Sequence, residues 1–167
     1  VFEIRSPENS NELPGKINSV QIESTDGDLL SEIPVGKPWQ CRVKFQIHKK
    51  CNHFITGFGI VTSMETSLRT SWTNPLELSP GNYEAVFIND DIILTSGHYS
   101  LVIGLSEEKK TFHYSTGEAS LYISDVSEIV TDERIINTQS GLIINQSDAY
   151  IYSDKGDMIY NSSAWKK

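Results

Sequence analysis

At 167 residues, 38% hydrophobic and 22% charged, the chain can bury one good core and is too ordinary in composition to be disordered or fibrous. Its net charge of −8 argues against a nucleic-acid partner, whose phosphates need a basic footprint. It contains no apolar run of about 18 residues, the length a membrane-spanning helix needs.

The opening VFEIRSPENSNELPG has no basic segment followed by an apolar one and does not read as a signal peptide. Without an initiator Met, the chain reads as a fragment of a longer protein. Residues 1–15, polar and broken by Pro7 and Pro14, are expected to be a linker. Lys16–Glu23 alternates with Val20 and Ile22 inward, as a first strand, and Leu29–Val35 is a weaker second one. Trp39–His48 is the clearest strand of this half. Cys41, Val43, Phe45 and Ile47 share one face, and Gln40, Arg42, Lys44, Gln46 and His48 the other. In HFITGFGIVTSM, Phe54, Phe58 and Ile60 face the core with Gly57 and Gly59 opposite. A glycine inside a strand marks a bulge or a place where something approaches the backbone. Ser67–Thr73 is a short strand bearing Arg69 and Trp72.

Residues 76–106 carry one pattern twice: a turn with glycine (Pro80-Gly81, Ser96-Gly97), one variable residue, a tyrosine, then apolar alternation. The two strands, joined through Asn89-Asp90-Asp91, are expected to form an antiparallel unit. Thr111–Tyr114 and Ala119–Ser124 are two further strands. About seven to nine strands with no convincing helix before residue 126 predict an all-β fold, an Ig-like or jelly-roll antiparallel β-sandwich over residues 16–126. Residues 127–167 form a strand-containing C-terminal extension: Val126–Ile136 reads as a short helix or a strand. Three apolar runs follow, Gly141–Ile144, Ala149–Tyr152 and Met158–Tyr160. Such short strands either add to the sandwich or are exchanged with a second copy.

No catalytic signature is present: no GxxxxGK[ST], GxSxG, HExxH or CxxC. His48, His53, His98 and His113 lack metal-ligand spacing, and the acidic pairs Asp90-Asp91 and Asp154/Asp157 suit turns better than calcium loops. No catalytic residue, metal or cofactor is therefore assigned. Cys41, in register with Val43 and Phe45, reads as a buried thiol rather than the disulfide partner of Cys51.

A binding module fits better. Carbohydrate recognition uses planar amide and guanidinium groups for paired hydroxyls and an aromatic face for a sugar ring. Arg42, Lys44, Gln46, Arg69, Trp72, His98 and Tyr122 supply those types. Trp72 shares the parity of Leu68, leaving a core position and a stacking platform both open. Arginine and lysine favour an anionic sugar or a phosphate-bearing terminus.

In order, Ile17–Ile22, Gly36–Phe45, Phe58-Gly59-Ile60, Leu76–Tyr83 (LELSPGNY) and Gly97–Leu101 (GHYSL) resemble the C-terminal domain of Wzt-type ATPase subunits of O-antigen ABC exporters. The likeness covers roughly residues 16–126. It implies a non-catalytic sandwich that binds the non-reducing terminus, capped or not, of a lipid-linked polysaccharide before export. It further implies a homodimer, exchanged strands included, a parent ATPase domain using ATP and Mg, and a membrane transporter subunit. The implied location is the cytoplasm, peripheral to the bacterial inner membrane. No family motif fixes ligand residues. The alternative is an Ig-like structural or adhesive module of a bacterial surface protein, which a Cys41–Cys51 disulfide would favour.

Overall fold

The computed structural model describes residues 1–127, 141–145, 149–153, 155–156 and 158–162. Two sheets face each other. The smaller has the order β1-β2-β4-β8, built from β1 (Phe2–Glu3), β2 (Gly15–Ser24), β4 (Trp39–Ile47) and β8 (Gly81–Asn89). The larger has the order β3-β10-β9-β5-β6, from β3 (Ile33–Val35), β10 (Lys110–Ser127), β9 (Gly97–Glu107), β5 (Cys51–Thr62) and β6 (Ser67–Trp72), with β7 (Leu76–Leu78) also pairing β5. Pairing is antiparallel except between β3 and β10. The described residues contain no helix.

Period-two alternation makes this fold. Val43, Phe45 and Ile47 of β4 meet Phe54, Phe58 and Ile60 of β5 and Leu101, Ile103 and Leu105 of β9, all buried. Rings interlock across the layer: Phe45 stacks on Phe54 at 5.1 Å and Phe58 on Phe87 at 5.2 Å, and Trp39 meets Phe58 edge-on at 6.2 Å. Cys41 and Cys51 are free buried thiols. Burial pushes the pKa of each upward, as an apolar surrounding disfavours the thiolate.

The twin glycine–tyrosine strands do not pair with each other. β8 pairs with β4 and β9 with β5 and β10, so the segment between them crosses from one sheet to the other. The shared wording encodes a shared local device instead. Tyr83 Oη donates to the Ser79 carbonyl at 2.7 Å, and Tyr99 Oη to the Thr95 carbonyl at 2.8 Å. Each tyrosine ties its strand to the turn four residues earlier, the tyrosine-corner arrangement of sandwiches.

Other expectations need correction. Residues 1–15 are not wholly a linker: β1 pairs with β2 and Ile4 is buried. The weak strand at 29–35 shortens to Ile33–Val35, with Leu29 making an isolated bridge to Glu23. The two strands expected at 111–124 are one, β10. Its register slips between Thr116 and Ala119, where Gly117 takes φ +73° and absorbs the extra residues as a bulge.

In the C-terminal extension, residues 141–145 lie along the crossing segment. Thr95 N–H donates to the Leu142 carbonyl and Ile144 N–H to the Ile93 carbonyl, both at 2.9 Å. β11 (Ala149–Tyr152) and β12 (Met158–Ser162) pair with one another as a two-stranded sheet. Of the stretch Val126–Ile136, residues 126–127 end β10 and the remainder lies outside the described residues.

Candidate functional site

The outer face of the larger sheet holds a groove. Cross-strand register sets Trp72 opposite Gly57, Gly57 opposite Gly104, and Gly104 opposite Tyr114, so one row across four strands reads aromatic, glycine, glycine, aromatic. The adjacent row reads Thr70, Gly59, Val102, Thr116. A hollow of about 350 Å³ lies over these rows.

Gly57 is needed for the shape of the groove. A Cβ there would stand 3.0 Å from Trp72 Cδ1 and 3.1 Å from Nε1, so the indole occupies the space a side chain would fill. Tyr114 leans over Gly104 in the same way, at an ordinary 3.8 Å. Trp72 is nonetheless 69% exposed and Tyr114 62%. Each ring therefore rests on backbone and leaves much of its surface open to solvent. Hydroxyls of Ser67, Thr70, Ser106 and Thr111 border the floor, with Ser106 and Thr111 bonded to each other at 3.0 Å. The ionisable lining groups are Glu65 and Tyr114, with no basic side chain among them. Chemically, this is a surface for stacking a flat, partly apolar ring and exchanging hydrogen bonds at its rim.

His98 and Tyr122 lie on the same outer face. They are directly opposite on β9 and β10 and stack at 4.6 Å with 25° between planes. A second hollow of about 380 Å³ adjoins His98, bounded by the β5–β6 turn, Ser96–Tyr99 and Leu142, while Tyr122 borders a separate one of about 170 Å³.

Arg42, Lys44 and Gln46 project from the other sheet. Arg42 is held on both sides: Nε donates to the two Glu23 oxygens at 2.9 and 3.1 Å, Nη2 to Glu23 at 3.0 Å, and Nη1 to Glu84 at 2.8 Å. Gln40 Nε2 adds a bond to Glu23 at 2.9 Å, and Lys44 lies 3.7 Å from Glu84. Glu23 is only 3% exposed, and the Arg42 hydrogen bond holds its pKa below the ordinary 4.5 although burial opposes this. Gln46 Oε1 lies 3.2 Å from His48 Nε2. Arg69 grips Asp91 with two nitrogens, lowering the Asp91 pKa. Asp91 is itself tied through its carbonyl to Asn145 Nδ2 at 2.9 Å.

The seven residues thus fall into separate places. Trp72, His98 and Tyr122 share the open face of the larger sheet. Arg42, Lys44 and Gln46 occupy the smaller sheet, and Arg69 braces the crossing segment. Tyr114, Glu65 and Gly104 carried no signal in the sequence, whereas Gly57 was marked there as a strand glycine, a bulge or a place that something approaches. Trp72 is 69% exposed, so of the two positions its parity left open the core one does not hold. The fold also gathers His53, Glu107 and Glu108 within 4.8 Å at an exposed turn. There the Glu107 carboxylate already accepts the Asn52 N–H at 2.8 Å.

Together these features make an all-β sandwich whose larger sheet presents an open, aromatic-walled groove. The chain belongs to the Wzt C-terminal domain family, which matches residues 8–131. That membership makes it a C-terminal, non-ATPase domain of the ABC-exporter subunit. The crystal structure of the C-terminal domain of Wzt aligns with a TM-score of 0.57 at 14% identity, covering 73% of this chain and 84% of that one. That likeness shows the fold. A Niemann-Pick type C2 protein from Japanese carpenter ant aligns with a TM-score of 0.45 at 12% identity, over 74% of this chain and 99% of its own. No curated protein matches the chain.

Proposed function

We propose that the domain binds carbohydrate without chemistry. Its ligand in this reading is the non-reducing terminus, capped or not, of a lipid-linked O-antigen polysaccharide awaiting export. The observation that carries the reading is the row Trp72–Gly57–Gly104–Tyr114, with exposed rings over a floor that has no side chains. A pyranose laid against either ring would find the hydroxyls of Thr70, Ser106 and Thr111 at its edge. Selectivity for a finished terminus would follow from polar groups left unpaired by the wrong one.

The lining also refines the ligand class. Arginine and lysine in the sequence suggested an anionic sugar or phosphate, but the groove's charged member is the acidic Glu65. A neutral sugar or neutral cap fits this wall better. Arg42, Lys44 and Arg69 would reach a glycan only by leaving Glu23, Glu84 and Asp91. In the same reading, the parent protein works as a homodimer at the cytoplasmic face of the inner membrane. Its ATPase domain supplies ATP and Mg chemistry to a membrane transporter subunit.

Calorimetric titration with purified O polysaccharide, with and without its terminal group, tests this. Binding that depends on the terminus supports the reading; a folded domain indifferent to both forms removes it.

A further inference from the structure

We propose that the groove continues past the terminal site to His98 and Tyr122, so that the larger sheet holds a run of several consecutive, uncharged sugar residues. This rests on the carbohydrate reading above and extends it from a chain end to a chain segment.

Gly104 and His98 are both outward positions of β9, six residues apart. At a strand rise of ~3.4 Å per residue the two aromatic stations lie about 20 Å apart. On β10, Tyr114 and Tyr122 keep the same outward parity across the bulge. The strip between the stations presents Val102 and Ser100 on β9, Val61 on β5, and Thr116 and Ser120 on β10 with the Gly117 bulge between them, and none of these side chains is larger than valine. Both hollows border the β5–β6 turn, the first at Glu65 and the second at Met64. Neither lining contains a lysine or an arginine.

The far station repeats the chemistry of the near one. His98 and Tyr122 offer stacked, exposed rings, each with a polar atom at its rim; His98 borders the 380 Å³ hollow and Tyr122, beyond it on β10, a smaller one of about 170 Å³. Met64, 86% exposed at the turn, adds an adaptable apolar wall. Two ring platforms in line along the strand direction suit a linear polymer of rings better than one compact molecule.

The test uses the full chain and the O polysaccharide of the bacterium that carries this gene, hydrolysed and sorted by length. Calorimetry should show affinity rising with fragment length until the fragment spans the two stations. His98→Ala and Tyr122→Ala should each flatten that rise, costing long fragments about tenfold. Ser100→Trp, which fills the strip between the stations, should do the same, while circular dichroism confirms folding. Trp72→Ala should weaken every fragment.

A length-independent affinity overturns the extended groove, and so does a length dependence untouched by all three variants. In either case Trp72→Ala sensitivity leaves the terminal site standing. Failure of every fragment to bind the folded chain overturns both.

Discussion

The two outer faces of this sandwich are built from opposite materials. On the smaller, Arg42, Lys44 and Glu84 bind one another and the buried Glu23 and Gln40, beside exposed Val86 and Ile88. The larger displays glycines, hydroxyls and open rings with little charge. Charged side chains attract attention in a sequence because they can hold a ligand, yet they can equally satisfy each other. What distinguishes the larger sheet is unfilled space: where side chains are missing, aromatic rings spread over the backbone with surface left to give.

Experiments can break that contrast, beginning with the largest effect. Glu23→Ala removes the acceptor of Gln40 and Arg42 and should cost about 2 kcal/mol in denaturant unfolding, because buried donors lose their partner. Glycan affinity should not change; a selective loss of binding would return the charged face to the site. Trp72→Ala should do the reverse. Affinity should fall about tenfold, or ~1.4 kcal/mol, while stability stays within ~0.5 kcal/mol because the ring is mostly exposed.

Gly57→Ala sharpens the comparison. Its new Cβ would meet the indole at 3.0 Å, displacing the ring while retaining the tryptophan. A severalfold loss of affinity, about 1 kcal/mol or less, is expected. Unchanged affinity would mean that the floor does not set the ring's position.

The smallest effect concerns the tie between the sheets. His113 on β10, 6% exposed, accepts the Ile17 N–H of β2 through Nδ1 at 2.8 Å. Burial holds its pKa below the ordinary 6.5, with Glu118 pulling the other way. The unfolded chain therefore takes up the proton first. This contribution to stability is complete above pH 6.5 and is lost as pH falls from there through the lower folded value. Unfolding midpoints measured on either side of pH 6.5 should show a drop of about 1 kcal/mol or less, flattened in His113→Gln. An equal slope in the variant would assign the effect to other groups.

The strands, their inward faces and the sandwich were legible in the chain because burial on one side of a sheet forces a period of two, and that period is local. The family likeness rests on the same local wording, down to the two tyrosines that each bind a turn carbonyl. Tertiary structure decided what no local pattern can state. It placed the twin strands in opposite sheets, because β8 pairs with β4 and β9 with β5, partners that lie far away in sequence. It paired Arg42 with Glu23 and Glu84 across three strands, turning candidate ligand groups into each other's partners. It aligned Trp72, Gly57, Gly104 and Tyr114 in one row, which depends on register between four strands and on bulges that shift it. Alternation tells a residue which way to face; only the assembled sheet determines what stands beside it.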